Sequence, residues 1–250
     1  MKFIVIKISG SIINQLASTT FKQIADLRSN GLYPIIVHDG GPKVNEALKE
    51  NGIEAEYING IRKINLPTLN IIANTLLCKV NVDVVEEANE VAQDFIGING
   101  AYFPIFDCRP ISKELGFVAE PENINREVFK QLCTNYIPVV ASIGRYHNQF
   151  YSINAETLAY KIAATLQSPL IILSDIPGVQ NQGEVISDIQ LSELDKLINS
   201  KMISDDMIPK LKDASKAVSA GVKEIVIAPG YEENMMRQYF DGQPVGTKIH

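Results

Sequence analysis

Tyr33-Pro34-Ile35-Ile36-Val37-His38-Asp39-Gly40-Gly41-Pro42 runs from a continuously apolar, β-branched segment into a glycine pair and then a proline. An apolar run without alternation is the pattern of a strand buried on both faces. Pro42 suits the first turn of a helix, where its missing N–H costs nothing. Val44, Ala47 and Leu48 then continue one helical face until Asn51-Gly52 stops it. Strand, glycine turn and helix in that order make the opening half of a βαβ unit.

The unit recurs on both sides. Phe3–Ile8, Tyr136–Ala141, Leu170–Ser174 and Glu224–Ala228 join Tyr33–Val37 as predicted buried strands, all rich in Ile and Val. A helix capped by Ser18 carries Phe21, Ile24 and Leu27 and stops at Asn30-Gly31. The longest helical pattern is Pro67–Val91, with Leu69, Ile72, Leu76, Val80, Val84 and Ala88 at three-to-four spacing. Arg126–Asn135, Ala155–Leu166, Leu191–Ser200, Ile208–Ala220 and Glu232–Tyr239 read as further helices. Hairpins are expected at His147-Asn148-Gln149 and at Gln180–Gly183, the latter between Gly178-Val179 and Glu184–Ile186. With right-handed crossovers, this alternation predicts an α/β fold: a three-layer αβα sandwich around a central, mainly parallel sheet. A division into two lobes falls near Gln167-Ser168-Pro169, giving 1–168 and 169–250.

Composition removes several functional classes. The 250 residues (27.6 kDa) are 46% hydrophobic and 21% charged, which is the balance of a globular chain rather than a disordered one. Apolar stretches such as Phe3–Ile6 and Leu170–Leu173 are far shorter than the about 20 residues of a membrane span. The strand pattern that follows Met1-Lys2 leaves no room for a signal peptide. Cys78, Cys108 and Cys133 are scattered without metal-ligand spacing, as expected of reduced thiols in the cytoplasm. Net charge is -6 without a basic cluster, so the electrostatic footprint of a nucleic-acid binder is missing.

In an open α/β sheet, ligands sit beyond the carboxyl ends of the strands. Three such ends carry unusual chemistry: Lys7-Ile8-Ser9-Gly10-Ser11, His38-Asp39-Gly40-Gly41-Pro42 and Ser174-Asp175-Ile176-Pro177-Gly178-Val179. The glycine pair opens onto a helix N-terminus, where free N–H groups and the helix dipole favour an anion. Asn154-Ala155-Glu156 and Met207-Ile208-Pro209-Lys210 open two more helices with a carboxylate and a lysine. Each has a plain structural alternative: a snorkelling lysine, a tight turn, an Asx turn, a capping acid or a solvated helix charge. Together, two lysines, a carboxylate and two glycine turns suit phosphoryl transfer, which is mostly positioning and charge neutralisation. His38, His147 and His250 read as a turn residue, a hairpin tip and a tail.

The chain resembles the amino acid kinase family. The likeness is carried by these segments in order, with Asn59-Gly60-Ile61-Arg62, Ile153-Asn154-Ala155-Glu156 and the terminal Gly246-Thr247-Lys248-Ile249. The Asn-Gly-x-Arg element is that of the branch acting on N-acetyl-L-glutamate. The resemblance implies transfer of the ATP γ-phosphoryl group to a side-chain carboxylate, with Mg²⁺ arriving on the nucleotide and without a direct protein metal ligand. It implies catalytic roles for Lys7, Lys210 and Glu156. Gly40, Gly41, Arg62, Ser152 and Asn154 would bind the substrate; Arg62 would grip its α-carboxylate. Lys7, Ser9, Gly10, Asp175 and Lys210 would face the nucleotide or its phosphates. It further implies an N-terminal lobe for the amino acid and for homodimerisation, a C-terminal lobe for ATP, and no nucleic-acid or membrane partner. The acceptor carboxylate is already ionised at neutral pH, so no general base is needed. Ser9, Asp39, Ser152, Glu156 and Asp206 depart from the family pattern; Ser9, Asp39 and Asp206 replace glycines and Glu156 an aspartate. A kinase for an aminoadipate-type substrate and a ligand-binding paralogue without turnover are the competing readings.

Overall fold

The computed structural model describes residues 1–199, Ile203 and 207–250, so Ser200 and Asp206 lie outside the described residues. Among the described residues, eleven strands form one sheet. They are β1 (Lys2–Ile8), β2 (Leu32–His38), β3 (Phe95–Gly100), β4 (Asp107–Pro110), β5 (Val118–Glu122) and β6 (Ile137–Tyr146). β7 (Gln149–Ile153), β8 (Leu170–Ser174), β9 (Asp188–Ile189), β10 (Ile225–Pro229) and β11 (Thr247–Ile249) complete it. Their order is β9-β11-β10-β8-β1-β2-β6-β7-β5-β4, with β3 also paired to β6. The central pairs are parallel: β1 lies between β2 and β8, and β10 follows β8. The sheet is continuous across the 168/169 position, because β1 pairs directly with β8.

Alternation along β1 sorts its side chains between two cores. Phe3 and Val5 join the layer under α4 (Arg126–Asn135) and α5 (Ala155–Leu166), where Phe129, Leu158 and Ile162 are fully buried. Ile4, Ile6 and Ile8 face the opposite layer, with Phe21 and Ile24 of α1 (Thr20–Ser29) and with Val80 and Val84. A third cluster lies between α2 (Gly41–Glu50) and the helix α3 that runs over Leu66–Asn89, joining Val44 and Leu48 to Leu69, Ile72 and Leu76. The predicted sandwich is the architecture found.

The helix α3 meets the length and apolarity of a membrane span, but half of its most apolar stretch is packed inside the fold. Its middle, Thr75–Val80, is a π-helix, a device common beside functional sites. The remaining helices are α6 (Leu191–Asn199), α7 (Met207–Ser219) and α8 (Met235–Phe240). The last is shorter than the predicted Glu232–Tyr239.

Several local expectations are corrected. Ser18 does not cap α1: the helix begins after Thr19, and the Ser18 and Thr19 hydroxyls both donate to the Glu233 carboxylate. β6 continues five residues past Ala141 and turns at His147 (φ 51) into β7. The second hairpin pairs Gln180–Asn181 with Glu184–Val185, shifted from Gly178-Val179. His250 is no free tail: its backbone bonds Ile189 and Leu191, and its ring sits 3.1 Å from the Asp188 carboxylate. Cys78, Cys108 and Cys133 are free thiols; burial pushes Cys108 up to about 11 and Cys133 up to about 12.

The terminal Gly246-Thr247-Lys248-Ile249 element is structural. It inserts β11 antiparallel to β10 and parallel to β9. Thr247 Oγ1 accepts a 2.7 Å bond from the Val179 N–H, closing the loop after β8. Gly246 has φ 58, and a Cβ there would lie 2.0 Å from the Ile227 carbonyl oxygen. Gly246→Ala therefore combines left-handed strain with a backbone clash and is expected to cost roughly 2–4 kcal/mol in urea unfolding.

Candidate active site

β1 delivers Lys7 to the carboxyl edge of the sheet, on the face that Phe3 and Val5 bury lower down. Lys7 is only 5% exposed; its ammonium donates to Ser9 Oγ at 3.0 Å, and no carboxylate pairs with it among the described residues. The neighbouring strand ends at His38, and the chain turns through Asp39 and Gly40 into α2. The two turns touch: a Cβ on Gly10 would lie 2.7 Å from the Gly41 nitrogen and 3.1 Å from that of Gly40. Behind them, a Cβ on Gly40 would meet Leu76 at 2.6 Å, so the π-helical segment closes the back of the turn. Backbone N–H groups and a nearly buried ammonium thus share one edge.

A cleft of about 520 Å³ opens in front. Of the predicted site residues, Lys7, Gly41, Arg62, Ser152, Asn154 and Glu156 line it together. Arg62 forms the far wall. Its Nη2 donates to Asn45 Oδ1 at 2.5 Å, and its guanidinium lies 5.2 Å from the centre of the Tyr57 ring. Its Nη1 is buried without a hydrogen-bond partner among the described residues. Half of a bidentate fork is therefore free for an acceptor. Ile64, Ile72, Leu76 and Val118 supply an apolar stretch of wall between these polar groups.

Asn154 is the N-cap of α5, its Oδ1 accepting from the Thr157 N–H at 2.9 Å. Glu156 sits in the first turn, and Tyr160 one turn on donates to Glu156 Oε1 at 3.0 Å. Burial and the adjacent Glu156 raise the Tyr160 phenol far above its ordinary range, so it stays a donor. Lys210 is exposed in the first turn of α7 and is not among the residues lining the cleft, although Asp213 of the same helix is. Asp175 is exposed after β8, its carboxylate accepting from Ser174 Oγ at 3.1 Å. Ser9, Gly10 and Gly40 are likewise not among the residues lining the cleft, although Ser9 accepts from Lys7 and Gly10 packs on the Gly40-Gly41 turn.

His38 is corrected from a turn residue to a fully buried strand end. Asn81 Nδ2 donates to His38 Nε2 at 2.9 Å and to the Val139 carbonyl at 3.0 Å. That leaves His38 Nδ1 protonated toward the Asp39 carbonyl at 3.2 Å. Asn81 in turn needs Gly97 beside it, since a Cβ there would lie 2.1 Å from Asn81 Oδ1. Asn45, Tyr57, Asn81, Tyr160 and Asp213 were not singled out from sequence. Only Tyr160 carried a usable signal, its i+4 spacing from Glu156.

A glycine turn and a nearly buried lysine at the edge of a parallel sheet, with a half-satisfied arginine across the cleft, define a class. The sequence profile of the amino acid kinase family matches residues 2–229, and the chain belongs to that family. It is 40% identical over its whole length to an acetylglutamate kinase of Staphylococcus saprophyticus, covering 99% of that protein. The acetylglutamate kinase of Staphylococcus aureus strain MRSA252 is 38% identical over 100% of this chain and 98% of its own. Among solved structures, a protein of Streptococcus mutans UA159 superposes with a TM-score of 0.85 at 27% identity, covering 99% of this chain and 98% of that one. Carbamate kinase from Giardia lamblia shares the fold, with a TM-score of 0.71 at 17% identity over 99% of this chain and 98% of that one.

Burial lowers the His38 imidazole from an ordinary 6.5 to about 4. Between those values the unfolded chain binds a proton that the folded chain refuses, so stability falls as pH drops through this window and is full above it. The loss is on the order of 3 kcal/mol by pH about 4. Urea unfolding at about pH 7 and about pH 5 is expected to show this slope in wild type and a flatter one in His38→Gln.

Proposed function

We propose that this chain transfers the γ-phosphoryl group of ATP to the side-chain carboxylate of N-acetyl-L-glutamate, the phosphorylation step of arginine biosynthesis. The observation that carries this reading is the pairing, in one cleft, of Lys7 and Arg62 Nη1, the first without a counter-ion and the second buried without a partner among the described residues. The full-length likeness to acetylglutamate kinases supports it.

Arg62 takes the α-carboxylate, with Asn45 and Tyr57 holding its guanidinium flat. Ser152 and Asn154 lie near the acetamido group, and the Ile72 and Leu76 side of the cleft takes the acetyl methyl. The far carboxylate then lies toward Lys7 and the glycine turns. One of its oxygens forms a bond to the γ-phosphorus as the bond to the β-γ bridging oxygen breaks, releasing ADP. No proton moves, because the acceptor is ionised at neutral pH. The barrier is repulsion between two anions, opposed by the Lys7 ammonium and backbone N–H groups. Lys210, at the start of α7, is assigned to the nucleotide phosphates, with Asp175 beside the nucleotide. Glu156, held by Tyr160 in the same cleft as Lys7, is assigned to orienting the lysines once the phosphates are bound. Mg²⁺ bound with ATP supplies further charge neutralisation; Mg²⁺ characteristically keeps to phosphates and few carboxylates.

Residues 1–168 are assigned to the amino-acid lobe and to homodimer formation, and 169–250 to the ATP lobe. Hydroxylamine trapping with MgATP and N-acetylglutamate is expected to yield the hydroxamate, and N-acetylaminoadipate far less. Lys7→Ala is expected to lower kcat at least about 100-fold with its melting temperature nearly kept, since one charge-stabilising donor is lost. Arg62→Ala is expected to act mainly on the KM for the amino acid. Hydroxamate formation undiminished in Lys7→Ala would reject the assignment.

A further inference from the structure

Asp39 stands at a position where the family resemblance has glycine, and its side chain has a definite place. Its Oδ1 accepts from the Gly40 N–H at 2.6 Å and from the Gly41 N–H at 3.2 Å. In the kinase reading these N–H groups at the start of α2 lie where the acceptor carboxylate meets the γ-phosphoryl group, and oppose the repulsion between the two anions. A second observation marks this edge as built for an anion: Lys7, nearly buried and lining the same cleft as Asp39 and Gly41, has one donor on Ser9 and no ion-pair partner among the described residues. The Asp39 carboxylate therefore sits on the donors, unpaired with the cation nearby.

The backbone around it is pinned. The Asp39 N–H donates to the Ile8 carbonyl at 3.1 Å, and its own carbonyl takes the His38 ring. Only the side chain is free to leave. Space exists for that, since Asp39 itself lines the cleft of about 520 Å³.

We infer that Asp39 is a built-in anionic competitor for the Gly40 and Gly41 N–H groups, and so sets how tightly this edge holds a phosphate-bearing ligand. The identity of the displaced group as the γ-phosphoryl rests on the kinase reading; the competition itself does not. Charge-assisted bonds to N–H groups are about twice as strong as neutral ones, so an incoming phosphate must replace a strong pair and meet a like charge.

The test is calorimetric binding of inorganic phosphate, alone, to wild type, Asp39→Asn and Asp39→Gly. Removing the competitor is expected to tighten phosphate binding about tenfold in Asp39→Gly, with Asp39→Asn between the two. Asn caps a helix as well as Asp, so a purely structural role predicts unchanged melting and unchanged phosphate affinity in Asp39→Asn. Equal or weaker affinity in both variants, or no detectable binding by all three proteins, overturns the inference. In the kinase assay the KM for MgATP is expected to fall in Asp39→Asn. If wild type forms no hydroxamate yet the variants bind phosphate more tightly, the kinase reading is lost and the role of Asp39 stands.

Discussion

The turn between β2 and α2 is held in place from three sides, and the rest of the site takes its geometry from that. Ile8 accepts the Asp39 N–H, His38 donates to the Asp39 carbonyl, and Leu76 and Val80 press on Gly40. Behind His38 stands Asn81, which itself bonds the backbone of β6 at Val139. A buried imidazole is costly to charge, so His38 stays neutral, and the Asn81 amide on Nε2 leaves its proton on Nδ1, facing the Asp39 carbonyl. The Gly40 and Gly41 N–H groups, both donating to the Asp39 carboxylate, are therefore held at a position set by the sheet, not by a flexible loop.

Parallel pairing of β1 with β2 then brings Lys7 beside those donors without any contact between the two loops being required by sequence distance. Register does this: Lys7 lies opposite Val37, and Ile8 opposite His38. The hydrophobic alternation that puts Phe3 and Val5 into one core puts Lys7 on the same side at the sheet's end. Packing and chemistry are thus continuous along a single strand. Across the cleft, Arg62 is held by a short two-stranded hairpin in which Tyr57 pairs with it directly. This wall is more exposed than the lysine wall, and its preorganisation comes from Asn45 and the Tyr57 ring.

How much of this was legible in sequence varies with the range of the interaction. The β-branched runs at Phe3–Ile8 and Leu170–Ser174 announced themselves because burial on both faces demands apolar continuity. Phe95–Gly100 did not: two of its six positions are glycines, one of them kept small by Asn81 from another element. Ser18 looked like a cap because its type suits one, yet Glu233, distant in sequence, takes its hydroxyl. His38 read as a turn residue for the same reason, since nothing local reveals that Asn81 covers it. Local propensity is a weak prior when a long-range partner can satisfy the same polar group.

What the sequence determined alone was the alternation of elements, the sheet's parallel character and the chemical types offered at its edge, because hydrophobic periodicity and turn chemistry are local. Only the tertiary structure decided which of those groups meet. It gathered Lys7, Arg62 and Glu156 around one cleft while leaving Lys210 exposed outside its lining. It turned the Asp39 carboxylate onto the N–H groups of its own turn. Such meetings depend on strand register and on which helix packs behind which turn, and no nearest-neighbour rule along the chain contains that information.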